Sequence, residues 1–194
     1  MSKKELLFEI FEAAAFTNEE LESVLGHFKS RTFQKGEYLL RKGYTANHYW
    51  YMAEGFIRSY AIDTEGNDVT TNFFTVKDIV IDWPSFFMRN PSRENIQALT
   101  DCSCWQLDFE TFQRLFHSNK KFREFGRSNL VRSYFELKNH TTSLITDQAR
   151  ERYLRLIEEK KEIVQNVSLK QIATYLGITD SSLSRIRKEI AQNR

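Results

Sequence analysis

The spacing of apolar residues changes period along the chain, and each change predicts an element. Met1 to Phe16 carries apolar positions at helical spacing, interrupted by Glu5, Glu9 and Glu12. That pattern predicts an amphipathic helix, not the unbroken apolar core of a signal peptide. Thr17, with Glu20 three residues on, forms a capping box that opens a short helix through Leu21, Val24, Leu25 and Phe28. From about Arg31 to Asp108 the period shortens toward two, and Phe, Tyr, Trp, Val, Ile and Thr dominate. Lys35-Gly36-Glu37, Lys42-Gly43, Glu54-Gly55, Glu65-Gly66-Asn67-Asp68 and Asn90-Pro91-Ser92 break this region into short strands. Short strands between such turns predict an antiparallel barrel or roll.

Asp108 is a cap for a returning helical pattern that carries Phe109, Phe112, Leu115 and Phe116. After a break at His117 to Asn119 a long helix is predicted to about Thr142; at roughly 1.5 Å per residue it is nearly 40 Å long. Leu130, Leu137 and Leu144 are spaced by seven, with Val131, Phe135 and Thr142 as a neighbouring stripe. Two apolar lines on one long helix predict that one packs on the roll and the other on a partner subunit. A further helix is expected from Asp147 through Leu154 and Ile157. Its alternating charges from Arg150 to Lys161 read as a solvated surface, part of it able to hold phosphates.

The last stretch carries the chemistry. Ser168 and Gln171 have capping-box spacing, and Ile172, Ala173 and Leu176 mark one buried face. Gly177 supplies the positive φ of a sharp corner, and Thr179 caps a second helix with Leu183, Ile186 and Ile190 inward. A small residue, a glycine corner and a capped second helix at these offsets predict a helix-turn-helix. Asp180, Ser181, Ser184, Arg185 and Lys188 are left facing outward.

Composition adds limits. The chain has 194 residues, enough for two small domains, and a net charge of only +2, which argues against indiscriminate nucleic-acid coating. From Asp147 onward there are ten Lys and Arg against seven Asp and Glu, so the basic excess sits with the terminal helices. Cys102 and Cys104 are two apart in a strand-like run and read as buried thiols, with no disulfide framework or metal cluster. His27, His48, His117 and His140 are scattered. No apolar run approaches the roughly 18 residues that span a bilayer, so a cytoplasmic protein without membrane partners is expected. Without a phosphate-cradling glycine loop, nucleophile elbow or HExxH site, no enzyme is expected.

The order of roll, long helix and terminal helix-turn-helix resembles the Crp/Fnr family of bacterial transcription regulators over nearly the whole chain. The residues that carry the resemblance are Phe33-Gln34-Lys35-Gly36-Glu37-Tyr38-Leu39, Gly43, Gly55-Phe56-Ile57-Arg58, Asn95 to Cys102 and the terminal helices. It implies an α+β fold with an N-terminal antiparallel β-roll (a double-stranded β-helix, jelly-roll-like) and flanking helices. A long dimerisation helix and a C-terminal all-α (winged) helix-turn-helix domain follow. The expected division is 1–118 for the sensor-like roll, 119–145 for the long helix and 146–194 for the DNA-binding domain.

The resemblance further implies a homodimer on a near-palindromic site in double-stranded DNA, with RNA polymerase as a further partner. Leu130, Leu137 and Leu144 would form the dimer contact. The second terminal helix would enter the major groove, with Asp180, Ser181 and Arg185 at base-reading places; Arg185 is suited to a bidentate guanine contact, while Asp180, an acid near phosphates, is expected rather to support the helix N-terminus. Thr179 and Ser182 would sit near the backbone path, Ser184 would join the DNA-facing set, and Lys170 and Lys188 would add salt-sensitive attraction. Nucleotide-binding relatives hold cyclic phosphate with a Gly-Glu pair and an Arg followed by Ser or Thr and Ala. Here the matching stretch, Asp82 to Asn95, lacks Gly-Glu, places Ser92 at the Arg position and has Arg93 displaced beside Glu94 as a surface ion pair. Cyclic AMP and cyclic GMP are therefore not expected as cofactors, and the effector is open. Trp83, Phe86 and Phe87 would either fill the space of a nucleotide or belong to ordinary core. The alternative function is a small-molecule-sensing module that acts on a protein partner.

Overall fold

The elements follow the predicted changes of period in the computed structural model, which describes residues 3–11 and 16–192. Helix α1 (Lys3–Phe11) is the first; residues 1–2 and 12–15 of the expected N-terminal helix lie outside the described residues. Helix α2 (Asn18–Leu25) opens on the predicted box. The Thr17 hydroxyl accepts from Glu20 N at 3.3 Å, and the Glu20 carboxylate accepts from Thr17 N at 2.7 Å.

The strands are β1 (Lys29–Phe33), β2 (Tyr38–Leu40), β3 (His48–Glu54), β4 (Ile57–Ile62), β5 (Asp68–Phe74), β6 (Ile79–Val80), β7 (Asn95–Ala98) and β8 (Cys102–Asp108), with helix α3 (Trp83–Met88) between β6 and β7. Helices α4 (Phe109–Ser118), α5 (Lys120–Thr146), α6 (Ala149–Glu159), α7 (Lys161–Asn166), α8 (Leu169–Tyr175) and α9 (Asp180–Gln192) complete the described chain. The strands make the predicted antiparallel jelly roll. The chain divides into two compact units, residues 1–57 with 74–133 and residues 58–73 with 134–194.

In the first unit one sheet has the order β1-β8-β3-β6, antiparallel throughout, and β2 pairs with β7. Tyr49 to Met52 of β3 are all buried because both faces of the strand are covered. Tyr49 and Tyr51 meet the rings of Phe28, Phe11 and Phe112 on the helix side. Trp50 and Met52 turn the other way, toward Phe33 and Cys104. Gly55 is obligatory: φ is +91°, and a Cβ there would lie 2.5 Å from the Asp101 carbonyl oxygen. Cys102 and Cys104 are buried free thiols as expected, and burial pushes Cys104 up to about 12.

In the second unit β4 and β5 are neighbours joined by a turn in which the Asp63 carboxylate accepts from Glu65 N and Asn67 N. The expected wing is not found: described residues 147–192 hold four helices and no strand. At Lys160 to Val167 the apolar residues recur at a helical interval, and Ile163 and Val167 are buried in and beside α7. The helix after Asp147 begins later than expected and turns a different face inward. Tyr153 and Leu156 are buried, whereas Leu154 is exposed.

Candidate functional site

Helices α8 and α9 join through a corner whose hydrogen bonds explain its sharpness. Ser168 caps α8 by accepting from Gln171 N at 3.4 Å; the Gln171 side chain accepts from the Ser168 hydroxyl, so only half of the capping box forms. At the other end Gly177 N donates to Thr174 O and Ile178 N to Ala173 O, the paired bonds of a Schellman stop, with Gly177 at φ +67°. Thr179 then caps α9, accepting from Ser182 N at 3.2 Å while its oxygen also meets the hydroxyls of Ser181 and Ser182. Ile172, Ala173, Leu176, Leu183 and Ile186 are buried, so the two helices meet along the predicted face.

Of the residues expected to face outward, all but Ser184 are exposed. Lys170, Thr179, Asp180, Ser181, Arg185 and Lys188 are exposed, and Ser182 and Ser184 are half-buried. Arg185 lies one turn beyond Ser181 and makes only a 3.9 Å approach to Glu189, both side chains being well exposed. A pair of that kind contributes little and leaves the guanidinium available. Asp180 opens α9, where an acid complements the helix dipole.

Behind the two helices, Arg152 is half-buried and internally committed. Its guanidinium donates to Leu176 O at 2.9 and 3.1 Å, to Ser143 O at 3.3 Å and to Asp147 O. It ties the end of α8 to the end of α5. His140 of α5 stacks on Tyr175 of α8 with centroids 4.3 Å apart and planes 11° apart. Burial, with Arg152 and then Lys160 nearby, holds the His140 pKa below its usual value. The β4–β5 hairpin also reaches α8: Thr70 N donates to Thr174 Oγ1 at 3.2 Å, and the Phe73 ring meets Tyr175 at 5.2 Å.

Helix α5 spans 27 residues and is longer than predicted at its C-terminal end. Its line toward the roll is Phe122, Gly126 and Asn129. Neither leucine stripe nor Val131, Phe135 and Thr142 supplies that contact; both lines are exposed. Leu130, Leu137 and Leu144 therefore lie beside Val131, Tyr134, Phe135 and Ile145 on one unburied apolar surface, with Leu137 63% and Ile145 80% exposed.

In the cassette, Asp82 caps α3 by accepting from Ser85 N at 3.0 Å. Ser92, at the position where relatives place Arg, is buried and donates to the Asp82 carboxylate. Arg89 ends α3 in the left-handed region, donates to Ala46 O and Asn47 Oδ1, and covers the Phe109 ring at 4.0 Å. Arg93 is exposed. At the Ser92 position a hydroxyl is bonded to a carboxylate, and the neighbouring Arg89 guanidinium is committed to Ala46 O and Asn47 Oδ1. Phe86 does not fill the roll; it is fully buried on the helix side against Tyr49, Phe109 and Phe112.

Residues 30–119 match the family model of the cyclic nucleotide-binding domain. That match falls on the stretch that holds the strands and covers less than half of the chain. Over 114 residues the chain is 26% identical to human cGMP-dependent protein kinase 2, a stretch that is 56% of this chain and 14% of the kinase. The chain thus spans a small part of that curated relative. FixK2 from Bradyrhizobium japonicum superposes with a TM-score of 0.76 at 17% identity, covering 86% of this chain and 85% of that one. The c-di-GMP-responsive global regulator CLP of Xanthomonas campestris gives 0.71 at 15% identity, covering 89% and 91%. At these identities the likeness shows a shared fold. Among the described residues no helix is long and apolar enough to cross a membrane.

Three residues behind the terminal helices escaped sequence reasoning. Arg152 sits in an alternating charge run that reads as solvent-facing, and its acceptors are backbone carbonyls that carry no sequence signal. Thr70 and Thr174 meet across 104 positions. The one available hint was Tyr175, a large ring on a helix whose other buried positions are small or aliphatic.

Proposed function

We propose that this chain is a sequence-specific DNA-binding transcription regulator of the Crp/Fnr type that acts as a homodimer on a near-palindromic site. The observation that carries the reading is the α8–Gly177–α9 corner, with Leu183 and Ile186 buried and Ser181, Arg185 and Lys188 exposed along α9. Helix α9 is the reader: Arg185 donates to a guanine, Ser181 meets a neighbouring base edge, Asp180 supports the helix N-terminus, and Thr179 and Ser182 position the helix on the phosphate path. Lys170 and Lys188 supply salt-sensitive attraction. The exposed apolar surface of α5, including Leu130, Leu137 and Leu144, pairs with a second copy, placing two readers about 34 Å apart on successive major grooves. Residues 1–118 then form the roll, 119–145 the dimerising helix and 146–194 the reader.

The effector of this reading is not cyclic AMP or cyclic GMP, a view supported by Ser92 and its bond to Asp82. Calorimetric titration with either nucleotide is expected to give no heat of specific binding; tight binding refutes it. For DNA reading, Arg185→Ala is expected to weaken specific binding by roughly 1 to 3 kcal/mol and to relax preference at one base pair per half-site. A uniform loss across all sequences would make Arg185 a phosphate contact, and an unchanged affinity would remove it from the interface. The match to a kinase regulatory stretch favours a second reading, a small-molecule-sensing module acting on a protein partner. Footprinting on selected operators separates the two.

A further inference from the structure

The last turns of α5 and the terminal helices belong to one compact unit, residues 134–194 with residues 58–73. Within it the end of α8 lies against α5 through three successive residues. Tyr175 stacks on His140, Leu176 O is tied by Arg152 to the end of α5, and Gly177 meets Leu144 so closely that a Cβ on the glycine would lie 3.1 Å from Leu144 Cδ2. His140 and Leu144 are four residues apart and so share a face of the helix. The absent side chain at Gly177 therefore serves twice, for the positive φ of the corner and for the close approach of α5.

Arg152 closes this contact. The Schellman pair serves Thr174 O and Ala173 O, while Leu176 O, another carbonyl at the helix end, takes both Nε and Nη2 of Arg152. Nη1 reaches Ser143 O and Asp147 O at the end of α5. One planar group is thus bonded on one side to the residue before the corner and on the other to the helix whose exposed surface carries Leu137, Leu144 and Ile145. Lysine, a point charge on a flexible stem, has no fork to make both sets of bonds in one plane. Arg155 holds the same junction a second time, with its guanidinium 2.7 Å from the Asp147 carboxylate. Thr179, the cap of α9, follows Leu176 by three residues, so the end of α9 that carries Ser181 and Arg185 is placed by where Leu176 is held.

We propose that Arg152 is a positioning residue for DNA reading: it fixes the angle between α9 and the exposed apolar face of α5, and so sets the half-site spacing that the dimer accepts. In this role it touches neither base nor phosphate. The proposal rests on the DNA-reading dimer described above. Each base pair inserted between two half-sites moves the second by about 3.4 Å and turns it by about 34°. Two readers held rigidly on their dimer helices cannot follow that turn, and a dimer whose second reader cannot engage loses its avidity.

The test uses the full chain and an operator selected by it from random duplex DNA, with the central spacer then shortened or lengthened by one and two base pairs. The parent is expected to bind the selected spacing at least about tenfold more tightly than a spacer two base pairs longer; in Arg152→Ala that ratio should fall to about threefold. Base preference within each half-site should be unchanged, because α9 keeps its own residues. Arg152→Lys should fall between the two, and it carries the test if the alanine protein does not fold. Gly55→Ala strains the other compact unit, touches no part of this contact and should keep the parental ratio, so lost stability alone does not give the expected result. A parental ratio in Arg152→Ala, or in Arg152→Lys where that variant carries the test, overturns the proposal and leaves the DNA reading standing. An equal fall in Gly55→Ala, or a parent indifferent to spacing, does the same. Failure of the parent to select any sequence overturns the DNA reading and the proposal with it.

Discussion

Arg152→Ala tests whether the terminal helices are held by the staple behind them. The substitution removes charged donors from three carbonyls, Leu176 O, Ser143 O and Asp147 O. A hydrogen bond from a charged group contributes about 1.5 to 3 kcal/mol, and a cation near helix C-termini about 0.3 to 1 kcal/mol. The bonds are not additive, because Ser143 O also accepts from Asp147 N, and the site is half-buried, so water can replace part of what is lost. The expected cost is about 2 to 4 kcal/mol, read as a lower urea midpoint with an unchanged m-value. Arg152→Lys keeps the charge but not the fork, and should recover about half. Arg150→Ala, two residues away and exposed, is the control and should stay within about 0.5 kcal/mol. If Arg152→Ala behaves like the control, the carbonyl staple is energetically empty and the reasoning fails.

Gly55→Ala is expected to destabilise by at least about 2 kcal/mol, since it combines φ +91° with a 2.5 Å approach to Asp101 O; thermal unfolding measures it. His140 makes stability depend on pH. Its folded pKa lies below the unfolded value near 6.5, so the unfolded chain binds the proton first and stability falls as pH drops below about 6.5 toward the folded pKa. His48 is depressed in the same direction, so the measurement is the difference in slope between the parent and His140→Phe, which keeps a ring on Tyr175 and should flatten the curve. Leu137→Glu, placing charge in the exposed surface of α5, should shift the sedimentation mass to that of a monomer; an unchanged mass excludes this face as the interface.

The parts that could be read in advance are those whose causes are local. Thr17 with Glu20, Asp108, Thr179 and Gly177 act over three or four residues, and each cap or corner forms where its spacing places it. The glycine turns likewise cut the apolar run into strands. The readings that failed depend on partners distant in sequence. Helix α5 offers three lines, and the one that packs on the roll includes Gly126 and Asn129, which no hydrophobic pattern selects. Phe86 sits in a six-residue helix too short to show a face, and only Tyr49 and Phe112 reveal which side it occupies. Arg152 looks like its charged neighbours until the carbonyls of Leu176 and Ser143 are placed beside it.

The bond between Thr70 and Thr174 has a consequence for synthesis of the chain. A ribosome releases the β4–β5 hairpin about 95 residues before α8 begins, so a segment that ends up beside Tyr175 must wait, its Phe73 without that ring partner, until α8 has emerged. Contacts so far apart in sequence slow folding and prolong exposure to aggregation. A fragment that starts at residue 134 would lack its hairpin altogether, and dissecting this protein into an autonomous C-terminal piece requires residues 58–73 to be supplied or replaced.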